Sequence, residues 1–306
     1  MGHISIVIPV FNEESLISEL VKRVASNTAQ ISSDFEIIIV DDGSADTTWK
    51  QIILEAESEQ RVKGIKLSKN FGHHYAITAG LDYAKSEWVV VMDGDLQDRP
   101  EVIPELYEKA IEGYDVVFVS RKNRPESLTY KIMQKLFYFA LNMFSGLKFD
   151  SSQANFSIIN HKVVEAFKNF PEYSRFYGST IKWLGFSRSQ IYANHGRRLS
   201  GRPSYTIRKR IKLATDIIIS FSERPIKIVL IVGTILAMIA FLSAVLVPII
   251  TRPLIETKYI LGVILILAGA FFLLLVIMTT YIAEIFKQVK SRPLYVISDK
   301  INIANN

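Results

Sequence analysis

No cysteine occurs among the 306 residues, which excludes a disulfide framework and a thiolate metal site and is compatible with a reducing compartment. The apolar run Ile4–Val10 has no basic flank and is too short for a secretory leader, so nothing in it sends the N-terminal part across a membrane. Acidic residues are missing between Arg197 and Lys212, a stretch that carries Arg197, Arg198, Arg202, Arg208, Lys209, Arg210 and Lys212. Beside an apolar span, such a cluster fits anionic headgroups or a phosphate ligand better than a nucleic-acid groove. No nucleic-acid partner is expected. Charge is missing altogether from Ile228–Ile250 and Tyr259–Ala283, and two helices without internal charge offer no ion path.

What is present divides the chain. Hydrophobic residues make up 49% and charged residues 22%, with a net charge of +6; the apolar excess collects after Pro225. Each charge-free run is long enough to cross about 30 Å of hydrocarbon, and the short link 251–258 makes the pair a hairpin. Arg224, Lys227, Lys287, Lys290 and Arg292 flank its ends, whereas the link offers Arg252 and Lys258 beside Glu256. The positive-inside rule then places both ends of the chain in the cytosol, a bacterial inner membrane fitting better than the endoplasmic reticulum. Ser204–Glu223 is basic first and apolar later (Ile217, Ile218, Ile219, Phe221), the pattern of an amphipathic helix lying in the interface. Small residues Gly233, Ala237, Ala240, Gly262, Ala268 and Gly269 permit close helix packing, within the hairpin or between subunits of a homo-oligomer.

The N-terminal part alternates short Ile/Val-rich runs with amphipathic stretches. Ser5–Val10, Phe35–Val40, Trp88–Met92 and Val116–Val119 predict buried strands. Glu13–Ser26, Asp46–Glu57, His73–Lys85 and Glu101–Glu112 predict helices between them. Strand–helix alternation argues for an α/β, Rossmann-like parallel sheet. An aromatic segment, Ser127–Ser145, is expected to be helical; Asp150–Asn160 and Ser187–Ala193 are expected to be extended, with His161–Asn169 helical. The expected organisation is a catalytic domain over 1–200, a basic loop and interfacial helix over 201–225, two membrane helices over 226–286, and a cytosolic tail over 287–306.

Two carboxylate motifs close predicted strands, where open parallel sheets bind ligands. Val40-Asp41-Asp42-Gly43-Ser44 ends one. Paired carboxylates repel a bare phosphate but accept hydrogen bonds from a base or ribose; a turn with a helix cap at Ser44 or Asp46 reads the same way. Asp93-Gly94-Asp95 ends another. Mg²⁺ or Mn²⁺ takes one or two carboxylates and fills its shell with water and substrate phosphates. Gly94 is expected to turn the backbone so that Asp93 and Asp95 converge.

Four pieces in this order resemble the inverting family 2 glycosyltransferases of GT-A fold: Ser5-Ile-Val-Ile-Pro-Val-Phe-Asn-Glu13, Val40-Asp-Asp-Gly-Ser44, Asn70-Phe-Gly72 and Asp93-Gly-Asp95. The resemblance implies nucleotide contacts for Asp42 and Asp41, places around base and ribose for Pro9 and Glu13, and a metal at Asp95 supported by Asp93. A basic loop, an interfacial helix, two spans and the ending Ser291-Arg-Pro-Leu-Tyr295 are similar to the polyprenyl-phosphate glycosyltransferase group, which implies a nucleotide-sugar donor and a lipid-phosphate acceptor in the bilayer. The chain has no Arg-Trp pair, the mark of processive synthases in that family.

Two departures qualify the match. Where the group has Gly-Asp-Phe-Arg, with the Asp taken as base, this chain reads Ala154-Asn155-Phe156-Ser157. Asparagine cannot accept the proton of an alcohol, but a phosphate monoester, with a second pKa near 6, needs no base. Asn155 therefore favours a lipid phosphate over a lipid hydroxyl; Asp150 is the substitute base if a hydroxyl is attacked. In Arg198-Leu-Ser-Gly201-Arg-Pro-Ser-Tyr205, serine stands at 204 where lysine is usual, leaving Arg198 to grip phosphate and Arg202 to restore the charge. His73 and His74, at a predicted helix start, read as partly exposed helix residues in preference to phosphate contacts, and Arg121 as a residue facing the donor. A non-catalytic membrane sensor of nucleotide-sugar is the rival from another class. Neither the sugar nor the nucleotide is specified by these motifs.

Overall fold

The computed structural model describes residues 3–121, 153–173, 175–194, 196, 222–250 and 257–303, with isolated positions 135, 139, 142–144, 215, 218 and 219. The chain forms two units: Met1–Tyr138, Leu147–Thr206 and Pro293–Asn306 make the first, and Phe139–Gly146 with Ile207–Arg292 the second.

The first unit is built on a sheet. Strands β1 (Ile4–Val10) and β2 (Phe35–Asp41) are buried along their whole lengths, as strands covered on both faces must be. They are followed by β3 (Val62–Leu67), β4 (Trp88–Val91), β5 (Val116–Arg121), β6 (Gln153–Asn160), β7 (Arg188–Ala193) and β8 (Ile297–Ile301). Helices α1 (Ile17–Thr28), α2 (Thr48–Ser58), α3 (His73–Tyr83), α4 (Ile103–Ile111), α5 (His161–Lys168) and α6 (Tyr177–Trp183) connect them. Sheet order is β7-β5-β6-β4-β1-β2-β3-β8.

The sheet is mixed: the N-terminal strands are parallel, as their alternation with helices predicts, and two antiparallel strands join them. β4, β1, β2 and β3 run parallel, as do β5 and β7. β6 lies antiparallel between β4 and β5, and β8 lies antiparallel on β3. Alternation predicts direction only while each strand is followed by one crossover helix. That pattern stops after β5.

Alternate strand residues face two apolar layers. Ile4, Ile6 and Ile8 meet Ile17, Leu20, Val21 and Val24, the i, i+3, i+4, i+7 stripe of α1. Val7, Ile38 and Val40 meet Ala76, Ile77 and Ala79 of α3 and Val163 of α5 on the other side. Each such buried Val, Ile or Leu contributes about 1.5–3 kcal/mol. Asn160 caps α5, its Oδ1 accepting the Val163 N–H at 3.1 Å.

Strand β8 was not expected, because Ile-Ser-Asp-Lys-Ile carries too little apolar character to announce an edge strand. It pairs Gly64 with Ile301 and Ile65 with Lys300. Just before it, the Tyr295 hydroxyl donates to Asp82 Oδ2 of α3 at 2.7 Å. After it, Asn302 Nδ2 donates to the carbonyls of Ala56 and Val62. Residues 293–303 thus complete the first unit instead of trailing from the hairpin.

The second unit contains α7 (Arg224–Ile250) and α8 (Thr257–Val289). Within them Arg224–Leu242 and Ile266–Val289 have a mean hydropathy of 2.4, long and apolar enough to cross a membrane. Leu230, Phe241, Ile266 and Phe272 point outward, as side chains facing lipid do. A Cβ on Gly233 would stand 3.4 Å from Leu274 Cδ1, so this small residue serves the contact between α7 and α8. The aromatic segment 127–145 and the amphipathic helix 204–223 lie outside the described residues, apart from the isolated positions and residues 222 and 223.

Candidate active site

The carboxyl ends of β1, β2 and β4 adjoin in the sheet and carry three loops. The first two are zipped together: Asn12 N–H donates to Ser44 Oγ, Ala45 N–H to Asn12 Oδ1, and Glu13 N–H to Thr48 Oγ1, each at 2.9 Å. Pro9 is buried in β1, and Glu13 is half-buried at the loop.

Asp41 and Asp42 divide their work. Asp41 is fully buried; its Oδ1 accepts the Ser44 N–H at 2.9 Å, while Oδ2 has no hydrogen-bond partner. A buried carboxylate oxygen left without a donor is costly, and such an atom is normally paired. It is the acceptor a bound N–H or O–H would satisfy. Asp42 faces the loop before α3, Oδ1 accepting from Phe71 N–H at 2.8 Å and Oδ2 from Gly72 N–H at 2.9 Å.

Burial pushes the Asp42 carboxyl up to about 6, against the pull of those two N–H donors and of His73; Asp41 adds to the rise. Protonation therefore releases the loop within an accessible range. In metal-free protein the Phe71 and Gly72 amide resonances shift with a midpoint near pH 6, and Asp42→Asn abolishes that titration. A midpoint near the ordinary carboxylate value would mean Asp42 is solvated. Because the folded value lies above the ordinary one, the stability Asp42 contributes is present at low pH and is lost as pH rises through about 6.

The loop after β4 is packed tightly. A Cβ on Gly94 would stand 2.5 Å from Val10 Cγ1 and 3.2 Å from the Pro9 carbonyl. Glycine is thus required by close approach to β1, whereas the left-handed turn falls at buried Leu96, φ 58°. Asp98 Oδ2 accepts the Asp93 N–H at 3.2 Å, and Asp95 Oδ1 accepts the Gln97 N–H at 3.0 Å. Asp93 Oδ1 is buried without a hydrogen-bond partner, 3.3 Å from His73 Nε2 but out of hydrogen-bonding line. An orphaned anionic oxygen fits a cation. Among the described residues no three His, Asp or Glu side chains form a metal cage, so an ion here would take one or two carboxylates and complete its shell from substrate phosphate and water.

Two histidines read from the sequence as helix residues lie at this site. His73 Nε2 lies 3.2 Å from Asn155 Nδ2. His74 packs edge-on to Phe176, rings 5.4 Å apart, and accepts the Tyr177 N–H on Nδ1 at 3.4 Å. Burial pushes His74 down to about 3, with a further contribution from His73, so it is neutral at physiological pH and carries its proton on Nε2. Their position, directly after Gly72 at the start of α3, was the available signal.

Asp150, Arg198 and Arg202 lie outside the described residues, as does the Arg121 side chain. Gly196, just ahead of the basic loop, donates its N–H to the Gln97 carbonyl at 2.9 Å, which anchors the start of that loop on the 93–98 turn.

The family described as Glycosyl transferase family 2 matches residues 5–167. An uncharacterized glycosyltransferase of Synechocystis sp. is 34% identical over 97% of this chain and 95% of its own length. The undecaprenyl-phosphate 4-deoxy-4-formamido-L-arabinose transferase of Proteus mirabilis is 30% identical over 99% of this chain and 95% of its own. Among solved structures, glucosyl-3-phosphoglycerate synthase of Mycobacterium tuberculosis, in complex with Mn²⁺, UDP and glucosyl-3-phosphoglycerate, aligns with a TM-score of 0.48 at 19% identity, covering 71% of this chain and 78% of that one.

Proposed function

The chain belongs to glycosyl transferase family 2, and from that premise we propose that it moves a sugar from a nucleotide-sugar onto a polyprenyl phosphate, with inversion, at the cytosolic face of a membrane. The observation that carries the reading is the pair of orphaned carboxylate oxygens, Asp41 Oδ2 and Asp93 Oδ1, at the ends of strands two places apart in one sheet. One asks for a donor, the other for a cation. The undecaprenyl-phosphate transferases at about 30% identity over nearly the whole chain, together with the two apolar helices, support the lipid acceptor.

In this reading Asp41 accepts a hydrogen bond from base or ribose, with Pro9 and Glu13 beside it. Asp42 holds the 70–72 loop against the nucleotide. Asp93 and Asp95 hold Mg²⁺ or Mn²⁺, which when bound neutralises the leaving diphosphate. Arg198 and Arg202 grip the acceptor phosphate. One of its oxygens attacks the anomeric carbon in line as the bond to the nucleoside diphosphate breaks. The acceptor enters as a dianion, so no side chain takes a proton, and Asn155 is compatible with that.

Covalent order supports this topology. Residues before and after the hairpin belong to one unit, with β8 paired to β3, and an even number of spans returns the chain to the side it left. The Lys and Arg residues at the hairpin ends make that side the cytosol.

The test uses purified protein in detergent with Mn²⁺, a panel of UDP-, GDP- and dTDP-sugars, and undecaprenyl phosphate. Release of nucleoside diphosphate only when the lipid phosphate is present supports the reading. Turnover with a hydroxyl lipid alone would transfer the role of base to Asp150, and binding without turnover on any lipid would make the protein a sensor.

A further inference from the structure

The 93–98 turn is held from two sides. On one side Gly94 lies so close to β1 that a Cβ would meet Val10 Cγ1 and the Pro9 carbonyl. On the other lies Gly196, where a Cβ would stand 2.9 Å from the Leu96 carbonyl oxygen and 3.3 Å from that of Gln97. Both of these neighbours are backbone, which cannot swing aside. Between the two glycines, buried Leu96 keeps its left-handed φ of 58°, a conformation that persists only where its surroundings over-determine it. Ala193 and Asn194 add to the enclosure, lining a recess with Gln97, Asp98 and Arg99.

The Gln97 main chain is engaged at both of its polar groups. Its N–H donates to Asp95 Oδ1 at 3.0 Å, and its carbonyl accepts the Gly196 N–H at 2.9 Å. A displacement of Gly196 therefore moves the donor that orients Asp95. Arg197 and Arg198 follow Gly196 directly, and the transferase reading gives Arg198 the acceptor phosphate. On that reading, the residue for the ion and the residue for the acceptor are joined by two hydrogen bonds and two residues of chain.

We propose that Gly196 is a positioning residue for Asp95, and that through Gln97 the binding of nucleoside diphosphate with its ion and the binding of lipid phosphate strengthen each other. The proposal rests on the transferase reading above and deepens it. Each ligand fixes one end of the same hydrogen-bonded path, so less is left to be ordered when the other binds. Linkage makes the effect reciprocal: the lipid phosphate tightens the nucleotide by the factor by which the nucleotide tightens the lipid, typically about five- to 150-fold. The path ends on Asp95, which reaches the nucleotide through the ion, so the coupling operates only with the ion bound.

The experiment is calorimetry on the full chain in detergent, titrating UDP, GDP and dTDP with and without Mn²⁺, each with and without saturating undecaprenyl phosphate. For whichever nucleotide the wild type binds, the lipid lowers the Kd measured with Mn²⁺ at least about fivefold and leaves the metal-free Kd unchanged. In Gly196→Ala the added Cβ pushes on the Leu96 and Gln97 carbonyls, and the lipid no longer changes the Kd. Hydrogen exchange on the wild type does not depend on how that variant folds: Mn²⁺ and nucleotide together slow exchange at the Gly196 amide, and nucleotide alone does not. Coupling that survives in Gly196→Ala, coupling of equal size without Mn²⁺, or exchange at Gly196 indifferent to Mn²⁺ and nucleotide would each overturn the proposal. A wild type that binds both ligands, each indifferent to the other, overturns the coupling alone. A wild type that binds no nucleoside diphosphate overturns the transferase reading itself, and the coupling with it.

Discussion

Asp95→Ala lowers kcat/KM for sugar transfer to undecaprenyl phosphate by at least about a hundredfold, roughly 3 kcal/mol of transition-state stabilisation. The charge that must be neutralised develops on the leaving diphosphate, and in the proposed mechanism no general acid protonates it. Asp95 has a second task, since its Oδ1 accepts the Gln97 N–H at 3.0 Å and so shapes the 93–98 turn. Alanine removes both. Asp95→Asn separates them, because an amide oxygen still accepts from Gln97 while the negative charge is gone. The expected result is that asparagine is nearly as inactive as alanine and melts with the wild type. The measurement is nucleoside diphosphate release at saturating lipid with Mn²⁺, paired with a thermal melt. Full activity in the asparagine variant would reduce Asp95 to a loop residue and leave the ion to Asp93.

Gly43→Ala unfolds the site from a distance of one residue. Gly43 has φ +69°, and a Cβ there would overlap the backbone of Lys69 and Asn70, 2.7 Å from the Asn70 nitrogen. Backbone cannot swing aside as a long side chain does. Left-handed strain of about 1–3 kcal/mol adds to overpacking of about 1–3 kcal/mol. The melting midpoint falls by roughly 5–15 °C. The loop pushed away is the one that brings Phe71 and Gly72 to Asp42, so nucleotide affinity falls along with stability. Gly113→Ala is the control: φ is +109°, but nothing lies within 4 Å of the added Cβ. It isolates strain from collision and leaves nucleotide binding intact. Equal melting shifts in the two variants would show that the Lys69–Asn70 segment yields.

The strand ends that carry Asp41, Asp42, Asp93 and Asp95 were legible because β1, β2 and β4 are buried on both faces and write themselves as short Ile/Val-rich runs. Direction and neighbours were not. β6 inserts between β4 and β5, and β8 returns to β3, pairings decided by contacts far apart in sequence. β3 itself, Val-Lys-Gly-Ile-Lys-Leu, hides its strand character behind two lysines and a glycine. Gly94 was read as a turn, whereas its reason is the nearness of Val10; local sequence cannot report a neighbour from another strand. His73 was read as a helix residue for the same reason, because Asp93 and Asn155 reach it only through the sheet. The division of labour between Asp41 and Asp42 needed atoms, since two adjacent aspartates look alike until their hydrogen bonds are seen.

The pairing of β8 with β3 sets an order of assembly. Gly64 meets Ile301, so one edge of the sheet stays bare until both apolar helices have been synthesised. A strand edge left open invites pairing with another chain. On the proposed topology, residues 297–301 meet β3 only when the hairpin returns the chain to the side it left. On that topology, a chain with one helix stalled or inverted would keep this edge open.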